Sequence, residues 1–211
     1  MPQSREYQNA KRKLKRHIDS IAASDEDVAR AVAEVGYPEP RIRAKGFETF
    51  LSIIISQQVS TEAATSIRTR VFSTLGQVSP RAVLETSIEN LRAAGMSGRK
   101  IEYAKGLAES IEGGVFDPDE LLQLSDEEAI EKIVALRGFG RWSAEIYLMF
   151  SLQRPDIFAA DDLALLIALQ KLRGLPAKPA AGEARRLTGH WAPRRTAGSL
   201  FLWHYYRGAP D

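Results

Sequence analysis

Gly138-Phe139-Gly140 is the stretch that most limits how this chain can fold. It falls between two segments whose apolar residues recur with helical spacing, residues 127–136 and 142–152. Two glycines around one apolar residue do not continue a helix. They allow positive φ and close approach of a partner to the backbone. The chain must therefore turn sharply and start a second helix at once. The first amides of that helix have no intrahelical acceptors. The pattern makes a small cradle suited to an anion such as phosphate. An ordinary tight turn between helices has the same signature, so the glycines alone leave both readings open.

The rest of the chain is also written in helices. Residues 5–23 place Leu14, Ile18 and Ile21 on one stripe, with Lys11, Arg12, Lys13, Lys15 and Arg16 mostly off it. A second short helix is expected over 25–35, with Ser24 as its cap and Gly36 as its stop. Residues 47–57 are apolar nearly all round, which marks a buried helix. It runs into Ser56-Gln57-Gln58-Val59-Ser60, and Ser60 caps a helix over 61–75. Glutamines at the end of a core helix either tie off its carbonyls or reach out to polar edges. Short helices follow over 80–85 and 88–94. The run Leu91 to Lys100 then echoes the later turn, with glycines, a basic pair and a helix over 101–111. Lys100 is read there as a candidate phosphate contact, against an exposed loop as the simpler reading. Asp117-Pro118 starts a short helix, and Ser125 with Glu128 has the capping-box spacing. Further helices are expected over 163–172, 182–191 and 193–206. No strand-like alternation appears, so the fold class is all-α, with about ten to twelve helices.

Composition narrows the function classes. The 211 residues include no cysteine, which excludes disulfides, thiolate metal sites and cysteine-ligated iron–sulfur clusters. No apolar run reaches membrane-spanning length, and the first residues lack a signal-peptide core, so the expectation is a cytoplasmic protein. The net charge of +2 is too small to argue for nucleic acid by itself. His17, His190 and His204 are scattered without metal-ligand spacing and read as non-catalytic.

After the Gly-Phe-Gly turn comes Phe158-Ala159-Ala160-Asp161-Asp162-Leu163, an acidic pair at the mouth of another apolar helix. One of the two is expected to cap that helix. A carboxylate there is favoured in its charged form by the helix dipole and by amide hydrogen bonds. In this order, the Leu136-Arg137-Gly138-Phe139-Gly140 hairpin and the acidic pair resemble the helix-hairpin-helix DNA glycosylase superfamily. The Gly140-Arg141-Trp142 and Asp161-Asp162-Leu163 forms look like its 3-methyladenine DNA glycosylase II family, in a compact branch without the prototype's N-terminal sheet domain. The likeness runs over about 47–205.

The resemblance implies a single glycosylase domain over 1–211, two-lobed and helical, with the active-site cleft between the lobes. Lobe one would hold about 1–45 plus 155–211, and lobe two about 46–154. It implies Asp162 as the catalytic carboxylate. It also implies DNA phosphate contacts at Leu136, Gly138, Phe139, Gly140 and Arg141, and a base pocket at Trp142 and Trp203. Gln58, with Gln57 beside it, would fill the gap left by an extruded nucleotide. In the lyase branch the position of Trp142 is a lysine. Tryptophan cannot form a Schiff base, so a monofunctional enzyme is implied. An indole face attracts a cationic alkylated base by about 0.5–2 kcal/mol. The prototype has a tyrosine where this chain has Ile146, with Tyr147 next along, which leaves the pocket's aromatic lining and the substrate range open. Arg194 and Arg195 open the last helix, and Arg195 is a candidate phosphate contact, with a solvated cap as the alternative.

The implied function is excision of 3-methyladenine and 7-methylguanine in base excision repair. The partner would be damaged double-stranded DNA, bound by a monomer away from membranes and, in a bacterium, at the nucleoid. No cofactor is implied, apart from room for a monovalent cation at the hairpin. Two alternatives remain: a non-catalytic helix-hairpin-helix DNA-binding module, and a glycosylase for oxidised or deaminated bases.

Overall fold

The computed structural model describes residues 4–208. Among them every regular element is helical, twelve α-helices and two one-turn 3-10 helices. The chain divides into two compact units, Met1–Ile42 with Gln153–Asp211, and Arg43–Leu152.

The first unit contains α1 (Arg5–Ala22), α2 (Glu26–Val35), α10 (Leu163–Arg173), α11 (Ala181–Leu187) and α12 (Arg195–Gly208). Helix α10 packs along α12, and α1 lies against both α2 and α12. Leu14, Ile18 and Ile21 of α1 are buried, as their spacing predicts. Two of the basic residues on the outer face are locally neutralised, Lys11 by Glu39 and Lys15 by Asp19 at 2.8 Å.

Asp25, not Ser24, caps α2, with Oδ1 accepting from the Val28 amide at 3.2 Å. The reason lies far along the chain. The same carboxylate pairs with Arg173 of α10 and accepts the Trp191 indole N–H at 2.7 Å. It also lies 2.8 Å from His190 Nε2. Burial opposes its ionisation, but the Arg173, Trp191, His190 and Val28 hydrogen bonds outweigh that and hold its pKa well below the usual carboxylate range. This cluster joins α2, α10 and the 3-10 turn Gly189–Trp191. That turn replaces the last three residues of the helix expected over 182–191.

The second unit contains α3 (Phe47–Ser56), α4 (Thr61–Leu75), α5 (Pro80–Glu85), α6 (Ile88–Ala93), α7 (Gly98–Glu112), α8 (Asp126–Val134) and α9 (Arg141–Phe150). Helix α3 is the centre of this unit, packing against α4, α7 and α9. Phe50 is fully buried there, stacked on Tyr147 at 4.1 Å and edge-on to Phe116 and Phe139. The Ser125–Glu128 capping box is present at the start of α8. Helix α7 starts at Gly98 rather than 101, because Ser97 caps it through the Lys100 amide. The helix expected at 117–118 is only a 3-10 turn, Glu120–Leu122. Among the described residues no helix is long and apolar enough to cross a membrane.

Candidate functional site

In the second unit, α8 ends, the chain reverses through Leu136 to Gly140, and α9 begins at Arg141. The Phe139 amide donates to Leu136 O at 3.1 Å, closing the turn. Leu136 and Phe139 point their side chains inward and are buried. They anchor the hairpin through those side chains, and the Phe139 amide is spent inside the turn.

Gly138 is the residue that needs to be glycine. Its φ is +93°, and a Cβ there would lie 2.3 Å from the Tyr103 ring. The sequence leaves open which of the two glycines carries that requirement. Gly140 instead has φ −105° and ψ 173°, and a Cβ there would meet nothing within 4 Å. What Gly140 contributes is openness: it caps α9 without a side chain, so no hydroxyl or carboxylate covers the first amides of that helix. Arg141 does not offer its charge to a ligand. Its guanidinium bonds Glu127 at 2.7 and 2.9 Å and Glu145 at 3.0 Å. Those carboxylates push its pKa up, Glu127 most, against burial. Any phosphate at this turn therefore meets backbone dipoles.

The hairpin is tied to the end of α3. Gln57 Nε2 donates to Gly138 O at 2.8 Å, so Gln57 is a strut and not an inserting side chain. Gln58 beside it is exposed and has φ +55°, a left-handed conformation that a non-glycine residue seldom adopts. Lys100 is likewise committed: Nζ donates to Ile55 O at 2.7 Å, capping α3. Burial lowers its pKa. It is a structural cap, not a free phosphate contact.

Trp142, in the first turn of α9, is half-buried and forms part of the wall of a surface cavity in this unit. The next positions do not extend an aromatic surface. Ile146 is 5% exposed and Tyr147 1%. The Tyr147 ring stacks on Phe50 and its hydroxyl accepts the Gly46 amide proton at 2.9 Å. Both belong to the core, because α9 is buried along its whole length after Trp142.

In the first unit, Asp162 is the N-cap of α10. Its Oδ1 accepts from the Leu165 amide at 3.1 Å and from the Trp203 indole N–H at 3.1 Å. Trp203 is 7% exposed, with the Arg41 guanidinium 5.1 Å above its ring. Trp203 therefore orients the carboxylate, a role that aromatic matching alone does not suggest. Asp161 is exposed and forms a long ion pair with Arg185, at 3.8 Å. Of the acidic pair only Asp162 is fixed by the helix and a buried donor. Arg195 is clamped by Asp156 through its main-chain N–H at 3.1 Å and its side chain at 2.8 and 2.7 Å. That pairing organises the start of α12 and uses the charge expected to meet phosphate. Among the described residues no cluster of histidine and carboxylate side chains has the grouping of a metal site.

Two sets of residues thus stand out, an uncapped hairpin with an exposed strained loop and an oriented carboxylate at a helix start. Known proteins are similar to it in both fold and sequence. DNA-3-methyladenine glycosylase 1 of Schizosaccharomyces pombe is 34% identical over 190 residues, covering 87% of this chain and 83% of that protein. The solved structure of the S. pombe 3-methyladenine DNA glycosylase Mag1 in complex with abasic DNA superposes with a TM-score of 0.82 at 33% identity, covering 93% of this chain and 98% of that one. A DNA-3-methyladenine glycosidase from Bacillus halodurans matches with a TM-score of 0.80 at 32% identity, over 90% and 88% of the two chains. The family model described as "HhH-GPD superfamily base excision DNA repair protein" matches residues 51–194, which takes in the α3 loop, both glycines of the hairpin and Asp162. With that much of its length and both candidate elements inside the match, the chain belongs to the HhH-GPD superfamily of base excision DNA repair proteins.

Proposed function

We propose that the protein is a monofunctional DNA glycosylase that hydrolyses the N-glycosidic bond of alkylated purines, such as 3-methyladenine and 7-methylguanine, flipped out of duplex DNA. The observation that carries this reading is Asp162, held at the start of α10 by the Leu165 amide and the Trp203 indole. Alkylation leaves the base cationic, so it departs with the bonding electron pair as a neutral molecule and needs no protein acid. Positive charge then collects on the deoxyribose at C1′. A fixed carboxylate stabilises that charge, as carboxylates do in O-glycoside hydrolysis. Water adds to C1′ and gives up a proton, which Asp162 accepts.

The other parts fit around this step. Extruding a base costs a few kcal/mol, least where pairing is already weakened. The exposed, strained Gln58 fits a residue that holds the gap. The uncapped amides of α9 suit the phosphate backbone, whose contacts position the protein without reading sequence. Leu136 O and Gly138 O each accept one hydrogen bond and keep a second lone pair. These hard oxygen donors suit a monovalent cation, which would add positive charge beside the phosphate. Trp142 has no amine, so water is the nucleophile and the product is an intact abasic site. On this reading the protein works as a monomer on damaged duplex DNA.

The test is base release from methylated DNA, followed by chromatography. Asp162→Asn keeps a side chain that caps helices well, so the fold should persist. Base release should fall about a hundredfold or more, as when a charge-stabilising group is removed, while DNA binding is retained. Near-normal release by Asp162→Asn, with loss in Asp161→Asn, would reverse the assignment within the pair. Borohydride reduction during turnover should trap no covalent protein–DNA adduct, and an adduct mapping to any lysine would overturn the monofunctional reading.

A further inference from the structure

The second unit carries a cavity of about 490 Å³ between the outer faces of α3 and α4, with Trp142 on its wall. Two arginines line it, Arg43 just before α3 and Arg68 on α4. Arg43 is fixed in place: its main-chain N–H donates to Phe150 O at 2.8 Å, and its guanidinium lies 5.5 Å from the Phe150 ring centroid. Burial and the neighbouring Arg68 cation both lower its pKa. An arginine does not lose its proton in response. Both side chains reach solvent, which screens their repulsion in part, and an anion between them would relieve the rest.

The arginines used structurally elsewhere look different. Arg141, Arg173 and Arg195 each have a carboxylate clamp. Among the described residues Arg43 and Arg68 form no ion pair, although Glu48 lines the same cavity. Ser52 and Thr61 add hydroxyls to the wall. Unlike Ser56 and Thr65, they do not donate those protons to a helix carbonyl. Thr61 also begins α4, so the positive end of that helix faces the same region.

We propose that Arg43 and Arg68 form a phosphate subsite for the DNA strand, separate from the hairpin amides. The ligand is a phosphodiester, held by two guanidinium forks with hydroxyl donors at the side. The subsite has a consequence for the base. Two unneutralised guanidiniums beside Trp142 repel a cationic alkylated base, and a bound phosphodiester cancels that repulsion. The consequence rests on the glycosylase reading, whereas the subsite itself requires only DNA binding.

Arg68 is exposed on the surface of α4, so Arg68→Gln should leave the fold intact. The measurement is binding to undamaged and abasic duplexes over a range of salt concentrations, with the thermal midpoint as a check on folding. Arg68→Gln should weaken both duplexes severalfold and equally, and reduce the slope of log K against log salt by about one. Arg68→Lys should restore most of the slope. The double variant Arg43→Gln with Arg68→Gln should lose more affinity than either single one. A folded Arg68→Gln with wild-type affinity and slope overturns the proposal. So does a site saturated by millimolar inorganic phosphate, at constant ionic strength, whose occupancy leaves DNA binding unchanged. Undamaged DNA needs no base release, so this outcome is independent of the Asp162 test.

Discussion

The second unit contains the same turn twice, and only one copy is open. Between α6 and α7 the chain reverses at Gly95, and between α8 and α9 at Gly138. Both glycines have positive φ, +104° and +93°. Each has a side chain pressed against the place where a Cβ would stand, Arg70 at 2.8 Å in the first turn and Tyr103 at 2.3 Å in the second. Each is followed by a buried apolar residue, Met96 or Phe139. The copies part at the next residue. Ser97 caps α7, accepting from the Lys100 amide at 3.4 Å, and Lys100 in turn sends Nζ to Ile55 O. Gly140 caps α9 with nothing. One hairpin supplies a side-chain acceptor for an amide in the first turn of its helix. The other gives the first amides of its helix no side-chain acceptor, and it is the one tied by Gln57 to the exposed loop.

The sharpest way to break this pairing is at the two positive-φ glycines. Gly138→Ala forces an L-residue into left-handed backbone and drives a methyl into the face of Tyr103. The two costs, about 1–2 kcal/mol for the backbone and about 1–3 kcal/mol for overpacking, should sum to roughly 3 kcal/mol. DNA binding should be lost with the turn. Gly95→Ala meets the same backbone cost of about 1–2 kcal/mol. Its obstacle is the far end of Arg70, which can swing aside at the expense of its Nε bond to Ala94 O. Chemical denaturation with DNA titration separates the two: Gly95→Ala should lose stability and keep affinity. Equal losses of affinity would mean that both turns bind DNA. Next in size, Ser97→Ala should cost about 1 kcal/mol through the lost cap, again without changing affinity at temperatures where the protein is folded.

These contrasts also show what was legible in the chain. The capping box at Ser125, the cap at Ser60, the buried face of α3 and an aspartate cap at Asp161-Asp162 rest on residues within one or two turns of each other, and local chemistry was enough to find them, although it did not choose between the two aspartates. The echo between the two hairpins was visible for the same reason. What could not be read was whatever depends on a distant partner. Gly138 and Gly140 are indistinguishable until Tyr103 is placed over one of them. Asp25 displaces Ser24 as the α2 cap because Arg173 and Trp191 reach it from the far end of the chain. Lys100, Arg195 and Gln57 read as side chains for DNA, but Ile55 O, Asp156 and Gly138 O claim them. Tyr147 faces the core because α9 is enclosed on nearly all sides, where helical periodicity no longer separates an inner face from an outer one. Arg43 and Arg68, 25 positions apart, carried no motif and became a pair only through the packing of α3 and α4.

The smallest change in stability should give the most specific answer. Gly140 has extended backbone that any residue adopts, and open space where its Cβ would be. Gly140→Ser therefore introduces no strain. Its hydroxyl should do for α9 what Ser97 does for α7, accepting from an amide in the first turn and gaining a few tenths of a kcal/mol. That makes the second hairpin resemble the first. If the open amides are what hold DNA, closing them should cost about tenfold in affinity for damaged and undamaged duplexes alike, equivalent to about 1.4 kcal/mol, while the thermal midpoint stays level or rises. Gly140→Ala adds bulk without a cap and should fall between the wild type and the serine variant. An alanine variant as weak as the serine one would assign the loss to bulk and not to the occupied amides. A serine variant that is folded and binds undamaged DNA like the wild type would show that Leu136 to Gly140 is as structural as Leu91 to Ser97, and the distinction between the two hairpins would fail.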